Sequence, residues 1–145
     1  WNFIEKSISS KLENYNFEKI ITPIIENKTT FNTGIGNDTD IISKEMYEFL
    51  LYKDSQVTND IIYCLRPEGT ASTVRSYLEN SLFKRRKINK LYYMGPMFRY
   101  ERSQKGRYRQ FYQVGAEILG SKDIFYEFEL ISLAKVPISH LPSPI

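Results

Sequence analysis

The stretch FRYERSQKGRYRQFYQVGAE, residues 98–117, is the most informative part of this chain because two strand-like halves flank a basic loop. Five cationic side chains stand between Arg99 and Arg109, with Gly106 among them. Glycine permits a tight turn, so the pattern predicts a β-hairpin that reverses near Gly106. From charge alone, the loop suits phosphate binding and entry into a nucleic-acid groove equally well, with a plain solvated loop close behind.

The second strand of this hairpin has one apolar and one mostly polar face, since successive side chains of a strand point to opposite sides. The apolar face, which we expect to be packed, consists of Tyr112, Val114, Ala116 and Ile118. The other face consists of Phe111, Gln113, Gly115 and Glu117, and Gly115 would leave a gap where a ligand could lie on the backbone. Arg99 and Glu101 of the first strand can join that face. An arginine, two carboxylates, an amide and a ring together favour a pocket for a zwitterionic or nucleotide ligand over a solubility patch.

The rest of the chain predicts an α+β fold in which an antiparallel sheet is flanked by helices. Helices are predicted at residues 1–16, 67–82 and 123–135, the second with Pro67 in its first turn. Strands are predicted at residues 17–26, 46–52, 60–66, 91–101 and 109–120. The first should lie at a sheet edge or interface because it contains Pro23, and the fourth should break at Gly95 and Pro96. Residues 27–40 are rich in turn formers and predict a loop.

Composition limits the possible classes of protein. With 145 residues, of which 41% are hydrophobic, the chain can bury one sizeable core, so we expect one domain. The net charge of +3 permits a polyanionic partner without requiring one. Cys64 is the single cysteine, which excludes an intramolecular disulfide and favours a reducing, cytoplasmic location. The apolar runs are too short to span a membrane.

Several segments together resemble one family. LRPEGTA at residues 65–71 and YMGPMFRYERSQKGRYRQFYQVGAEILG at residues 93–120 resemble the histidyl-tRNA synthetases, which are class II aminoacyl-tRNA synthetases. FEKIITPIIE at residues 17–26 is similar to their first class II motif, and TDIISKEMYEF to the segment that follows it. The resemblance implies that residues 1–135 are part of a class II catalytic domain with motifs 1 and 2. Residues 136–145, with three prolines, are interpreted as an atypical tail.

The resemblance also implies an activity and a set of site residues. The activity would be ATP-dependent ligation of L-histidine to tRNA(His) through histidyl-adenylate, with ATP and Mg²⁺ as cofactors and no protein metal ligands assigned. Arg99 would be catalytic, contacting the α-phosphate and the carboxylate of histidine. The ATP-binding residues would be Arg99, Glu101, Arg107 and Phe111. The histidine-binding residues would be Glu68, Thr70, Arg99, Gln113 and Glu117, the last accepting the imidazole N–H. Glu68 has a second explanation, since an acid in the first turn of a helix is favoured by the helix dipole.

Assembly and alternatives follow from the same resemblance. It implies a homodimer through the motif 1 region and no membrane association. The third motif, the histidine-specific segment and the anticodon-binding domain of the family are not found in these 145 residues, so we expect the chain to be inactive alone. Three alternatives stay open: a non-catalytic synthetase-like regulatory subunit of histidine biosynthesis, a synthetase-like tRNA-sensing domain, and a nucleic-acid-binding hairpin without catalytic ancestry. The presence of all four ATP-binding residues favours the enzyme over the first alternative.

Overall fold

A computed structural model describes residues 2–35, 45–53, 56–102 and 104–139. Within these ranges the chain forms five helices and six strands. The helices are α1 (Asn2–Asn14), α2 (Thr29–Ile35), α3 (Thr70–Glu79), α4 (Leu82–Arg85) and α5 (Ile124–Ser139). The strands are β1 (Glu18–Lys19), β2 (Ile25–Asn27), β3 (Glu48–Lys53), β4 (Gln56–Leu65), β5 (Asn89–Phe98) and β6 (Gln110–Leu119). The predicted α+β class is confirmed.

The strands form two three-stranded sheets, with the orders β1-β5-β6 and β2-β4-β3. All neighbours pair antiparallel except β1 and β5, which are parallel. The β5–β6 hairpin is continuous from the pair Asn89–Leu119 to the pair Phe98–Gln110. Beyond it, Gly106 has φ +84°, a left-handed conformation that glycine adopts without strain. The predicted hairpin and its turn near Gly106 are therefore confirmed.

The segment around Pro23 serves both sheets rather than forming the one strand predicted at residues 17–26. β1 pairs with β5 before the proline, and β2 pairs with β4 after it. Each of the two lies at the edge of its sheet among the described strands, as predicted for a segment that carries a proline. Pro23 thus marks the crossing from one sheet to the other.

The predicted break at Gly95 and Pro96 is wrong, because β5 runs through both residues. The backbone N–H of Phe98 donates to the carbonyl of Arg66 at 3.0 Å, away from β6. Residues two apart point their backbone groups to the same side of a strand, so the missing N–H of Pro96 also faces away from β6. The proline therefore removes no hydrogen bond of the β5–β6 ladder.

The first sheet packs one face against α1 and α5. Its core consists of Leu12, Phe17, Tyr92 and Leu133, with Ala116 and Ile118 of β6 packed against them. The predicted packed face of β6 is thus only partly covered. Tyr112 and Val114 of the same face stay 49% and 42% exposed. The reason is that α1 and α5 pack against the C-terminal half of β6, at Ala116 and Ile118.

Between those helices and the sheet lies a cavity of about 690 Å³, bordered by Ile8, Val114 and Leu130 among others. It opens on the face of the sheet opposite the residues that the sequence predicts as a site. Of the residues on the predicted site face, Gly115, which has no side chain, also borders the cavity.

The second sheet packs against α2 and α3. Phe31, Cys64 and Ala71 form its buried cluster. The loop predicted at residues 27–40 is wrong where it can be checked, since α2 occupies residues 29–35, and residues 36–40 lie outside the described part. The Asn27 side chain accepts the backbone N–H of Thr29 at 3.0 Å, which starts the helix, and the fully buried Phe31 anchors it.

The remaining helices differ from prediction at their ends. The helix predicted at residues 67–82 begins three residues later, because Glu68 caps the first N–H groups of α3 and Pro67 precedes the helix. It ends at Glu79, and Ser81 in a left-handed conformation, φ +51°, separates it from α4. The last helix, predicted to end at Lys135, continues to Ser139 within the segment interpreted as a tail.

Candidate functional site

The predicted site face is formed by the β5–β6 hairpin. Directly opposite residues of an antiparallel pair have their side chains on the same face. The register therefore adds four residues of β5 to the predicted face of β6: Leu91 opposite Glu117, Tyr93 opposite Gly115, Gly95 opposite Gln113 and Met97 opposite Phe111. The start of α3 lies beside this face, since the Thr70 hydroxyl reaches Glu117.

Arg99 lies where β5 ends and is fixed by three contacts. Its backbone N–H donates to the carbonyl of Arg109 at 2.9 Å, which extends the hairpin by one pair. Its side-chain Nε donates to the carbonyl of Pro67 at 3.0 Å. The guanidinium carbon lies 5.0 Å from the centroid of the Phe111 ring, within range of a cation–π interaction. The structure thus brings Arg99 and Phe111 together, as the sequence predicts.

The other two predicted ATP-binding residues lie nearer the turn. Arg107 Nε is 3.8 Å from an oxygen of Glu101, and the arginine side chain is 66% exposed whereas that of Glu101 is 17% exposed. A loose, exposed ion pair contributes little to stability. The guanidinium of Arg107 can therefore leave Glu101 for an anion at small cost.

Glu68 caps α3 with both carboxylate oxygens. One oxygen accepts the backbone N–H of Ala71 at 2.9 Å, and the other accepts the N–H of Thr70. Glu68 is also buried, with 8% of its surface exposed. Glu68 precedes the helix and does not lie in its first turn, as the sequence-based explanation required, but it does stabilise the helix start, through these two hydrogen bonds. Its position beside Thr70 keeps it at the edge of the site face.

Glu117 is a half-buried carboxylate on the site face. The Thr70 hydroxyl donates to its Oε1 at 2.7 Å. Burial raises the pKa of Glu117; the hydrogen bond from Thr70 acts in the opposite direction, and the nearby Glu68 raises the pKa further. The pair of carboxylates, Glu68 and Glu117, makes this end of the face suited to a cationic or N–H-donating ligand.

Gln113 has an unsatisfied oxygen. Its side-chain Oε1 is buried and has no hydrogen-bond partner among the described residues. Leaving a buried acceptor unpaired costs on the order of 1–3 kcal/mol. A ligand that brings a donor to this position would remove that cost.

Gly115 does not provide the predicted space for a ligand. The ring of Tyr93 covers it: a Cβ on Gly115 would lie 2.2 Å from the ring carbon Cζ. Tyr93 is 4% exposed, and its hydroxyl lies 3.3 Å from the Thr70 hydroxyl. Tyr93 is the residue that the sequence reasoning missed. The turn near Gly106 does not by itself set the register that pairs Tyr93 with Gly115, so the sequence offered no signal for this residue.

Arg66 was also missed. Its guanidinium donates to the backbone carbonyl and the hydroxyl of Thr22 at 2.8 and 3.1 Å, and to the carbonyl of Pro96 at 3.0 Å. Gly95 leaves room for it, since a Cβ there would lie 2.6 Å from the Arg66 guanidinium. Arg66 therefore ties the Pro23 segment to the strand that leads to Arg99.

The described residues contain no cluster of three or more histidine, cysteine, aspartate or glutamate side chains that could hold a metal ion. The same residues contain no helix long and apolar enough to cross a membrane.

Sequence comparison supports the resemblance on a larger scale. The family model described as "Histidyl-tRNA synthetase" matches residues 2–142. The histidine–tRNA ligase of Dictyoglomus turgidum is 51% identical over 134 residues, which are 92% of this chain and 31% of that protein. The chain thus spans about a third of the length of the curated relatives it matches.

Solved structures show the same fold. The crystal structure of apo histidyl-tRNA synthetase from S. aureus superposes with a TM-score of 0.72 at 34% identity, over 96% of this chain and 30% of that one. An ATP phosphoribosyltransferase regulatory subunit/histidyl-tRNA synthetase from Bacillus halodurans gives a TM-score of 0.72 at 23% identity, over 95% of this chain and 33% of that one, a likeness that shows the fold alone.

Proposed function

The chain belongs to the histidyl-tRNA synthetase family, and from this premise we propose that it forms the part of a histidine–tRNA ligase that binds ATP and histidine. The observation that carries the proposal is the site face, where the hairpin and the start of α3 bring Arg99, Phe111, Gln113, Glu117 and Thr70 together. A nucleic-acid-binding hairpin has no need for a half-buried carboxylate and an unpaired, buried amide oxygen on one face of its sheet. The face therefore favours a small-molecule pocket.

Histidine binds at the end of the face formed by Gln113, Glu117, Glu68 and Thr70 in this proposal. The α-ammonium group supplies donors for the unpaired Gln113 oxygen and for the negative charge of Glu68. The imidazole N–H donates to Glu117, of which Thr70 engages only one oxygen. Glu117 is half-buried, and a bound ligand would cover it further. A covered carboxylate that needs a donor rejects apolar side chains of similar size, which makes Glu117 the specificity residue.

ATP binds at the other end of the face. Phe111 stacks on the adenine, Glu101 accepts from its amino group, and Arg107 moves from Glu101 to the γ-phosphate. Arg99 contacts the α-phosphate and the histidine carboxylate. As that carboxylate attacks the α-phosphorus and pyrophosphate leaves, charge spreads over the phosphoryl oxygens, and the fixed guanidinium of Arg99 stabilises it.

Magnesium enters this site with ATP. Mg²⁺ commonly needs only one or two carboxylates in addition to substrate phosphates and water, so the absence of a carboxylate cluster from the described residues is compatible with it. No residue of the described part is assigned to the ion, because Glu101 accepts from the adenine amino group in this proposal. The ion would neutralise charge on the phosphates.

The proposal includes the partners and the location. tRNA(His) accepts histidine from the adenylate. A second copy of the chain binds through the Pro23 segment, where Ile21, Ile24 and Ile25 are 84%, 43% and 51% exposed, an unusual density of exposed aliphatic side chains. The cytoplasm is the proposed location, in line with a single, unpaired cysteine.

Histidine-dependent exchange of pyrophosphate into ATP tests the function. The full-length gene product should catalyse this exchange with histidine and not with other amino acids. The 145-residue chain alone should not, since it spans 31% of its relative from Dictyoglomus turgidum. A full-length product that binds histidine without exchange would instead support the non-catalytic regulatory subunit.

A further inference from the structure

Tyr93 occupies the centre of the site face although no role follows for it from the sequence. Its ring lies between two glycines: a Cβ on Gly69 would come within 2.3 Å of ring carbon Cε2, and a Cβ on Gly115 within 2.2 Å of Cζ. With glycine on both sides and 4% of the residue exposed, the ring is held in one place. The position of its hydroxyl is therefore fixed by the backbone of Gly69, just before α3, and of Gly115 in β6.

That hydroxyl belongs to a short chain of hydrogen bonds. Tyr93 Oη lies 3.3 Å from Thr70 Oγ1, and Thr70 Oγ1 donates to Glu117 Oε1 at 2.7 Å. A threonine hydroxyl has a single proton, and an ionised carboxylate can only accept. Because Thr70 gives its proton to Glu117, Tyr93 must be the donor to Thr70.

Tyr93 is able to act as that donor at neutral pH. Burial is the largest effect and raises the pKa of its hydroxyl. The hydrogen bonds with Thr70 and with the backbone of Gly69 lower this pKa, the Glu117 and Glu68 carboxylates raise it, and the net shift is upward. The hydroxyl therefore keeps its proton throughout the neutral range.

We propose that Tyr93 is a positioning residue for histidine recognition, which holds the Thr70 hydroxyl and, through it, the Glu117 carboxylate in the orientation that leaves the second oxygen for the imidazole N–H. The inference rests on the proposed function and deepens it by adding a determinant of specificity that does not itself touch the imidazole. Hydrogen bonds in such a chain strengthen one another, so loss of the first donor weakens the last acceptor.

Tyr92 supplies a matched control. It is the neighbouring residue of β5, is fully buried, and its hydroxyl donates to Glu13 Oε1 at 3.0 Å. Its side chain, however, points to the opposite face of the sheet, into the cluster with Leu12. Tyr92→Phe therefore removes a hydrogen-bonded hydroxyl from the neighbouring tyrosine without touching the site face.

The experiment uses the full-length gene product and its Tyr93→Phe, Tyr92→Phe and Thr70→Val variants, plus the Tyr93→Phe/Thr70→Val double variant. KM and kcat for histidine and for ATP are measured by pyrophosphate exchange, and histidine affinity by calorimetry without ATP. Tyr93→Phe should raise KM and Kd for histidine roughly three- to tenfold, as expected for one hydrogen bond, and leave KM for ATP unchanged. Tyr92→Phe should change neither. The double variant should bind histidine as tightly as Thr70→Val alone, because both changes break the same chain of hydrogen bonds.

Different failures have different meanings. Equal changes in KM for histidine and ATP, an unchanged Kd for histidine in Tyr93→Phe, or additive effects in the double variant would overturn the positioning role. Histidine binding without exchange by the unsubstituted protein would overturn the ligase function, while calorimetry would still decide the role of Tyr93. Should Tyr93→Phe fail to fold, the Thr70→Val variant must still show the selective loss of histidine affinity, and its absence would count against the hydrogen-bond chain.

Discussion

The hydroxyl of Thr70 donates to Glu117 across 2.7 Å, which joins the first residue of α3 to a strand 47 positions further along the chain. This bond connects the LRPEGTA segment to the hairpin, two parts of the sequence that carry the family resemblance separately. The cap that Glu68 places on Thr70 and Ala71 fixes the helix end from which the hydroxyl extends. Glu117 is thus oriented by a residue whose own backbone is held in place.

Replacement of Glu117 by glutamine should remove histidine recognition while keeping the shape of the site. A hydrogen bond to a charged group contributes more than one to a neutral amide, so kcat/KM for histidine should fall roughly 10- to 150-fold. Pyrophosphate exchange by the full-length gene product measures this loss, with KM for ATP expected to stay constant. Glu127→Gln, on the exposed surface of α5, is the control. Equal activity of Glu117→Gln and the unsubstituted protein would contradict the assignment.

The same substitution should change how stability depends on pH. The pKa of Glu117 is raised above its ordinary value of 4.5, chiefly by burial, so the folded state holds this proton more tightly than the unfolded state. Between the two pKa values the free energy of unfolding therefore falls as pH rises. Glu117→Gln lacks this penalty and should gain stability relative to the unsubstituted protein as pH increases from 4 to 7. Urea unfolding at several pH values measures the difference, and a gap that is constant with pH would contradict it.

Replacement of Arg99 by lysine should abolish most of the chemistry despite conserving the charge. The planar guanidinium of Arg99 donates to the Pro67 carbonyl and lies over the Phe111 ring at the same time. The ammonium group of a lysine is a point charge and cannot make both contacts together. Loss of a fixed donor to developing charge commonly costs about 10²- to 10³-fold in kcat, and we expect that range for pyrophosphate exchange. Arg102→Lys, on an exposed residue of the same hairpin, should leave exchange unchanged. Near-normal kcat for Arg99→Lys would remove Arg99 from the mechanism.

The hairpin was predictable from sequence because its signals are local. Alternation along residues 110–119 and a glycine at the turn give both the strand and its polar face. The break predicted at Pro96 failed because the cost of a proline depends on which side of the strand its nitrogen faces, and that is decided by the partner strands. The loop predicted in place of α2 failed because tertiary packing again overrides a local signal. The burial of Phe31 outweighs the turn preferences of its neighbours.

The site was predictable only in part. Strand alternation identified which residues share a face, and the family resemblance distributed roles among them. Neither showed that Tyr93 fills the space over Gly115, since that contact depends on the pairing register and on the approach of α3. A glycine in a binding face was therefore interpreted as room for a ligand when it is room for a neighbouring ring.

Gly115→Ala tests that correction through stability. The added methyl group would overlap the Tyr93 ring, which is buried and blocked on its other side by Gly69. Overpacking of this kind costs typically about 1–3 kcal/mol, and we expect the free energy of unfolding to fall by that amount in urea titration. Histidine affinity should fall too, because the ring can move only by shifting its hydroxyl. Gly106→Ala has open space around it and only its positive φ to oppose it, so it should leave histidine affinity unchanged. Full stability of Gly115→Ala would show that the ring is not held.

Cys64 should be inert in the folded protein although it is the single cysteine of the chain. Burial, with the charges of Glu48 and Glu26, raises the pKa of its thiol to about 12, so that very little thiolate exists at pH 8. The folded protein should therefore fail to react with a chromogenic disulfide reagent over a time in which the urea-unfolded protein reacts completely, while the same reagent labels free glutathione at once. Because the thiol lies beside Phe31 and Ala71, in the cluster that joins α2 and α3 to the second sheet, its labelling rate reports opening of that cluster. Histidine should slow the labelling further if binding at Thr70 stabilises α3. If the folded protein is labelled as fast as the unfolded protein, the cluster around Cys64 is open and the prediction is wrong.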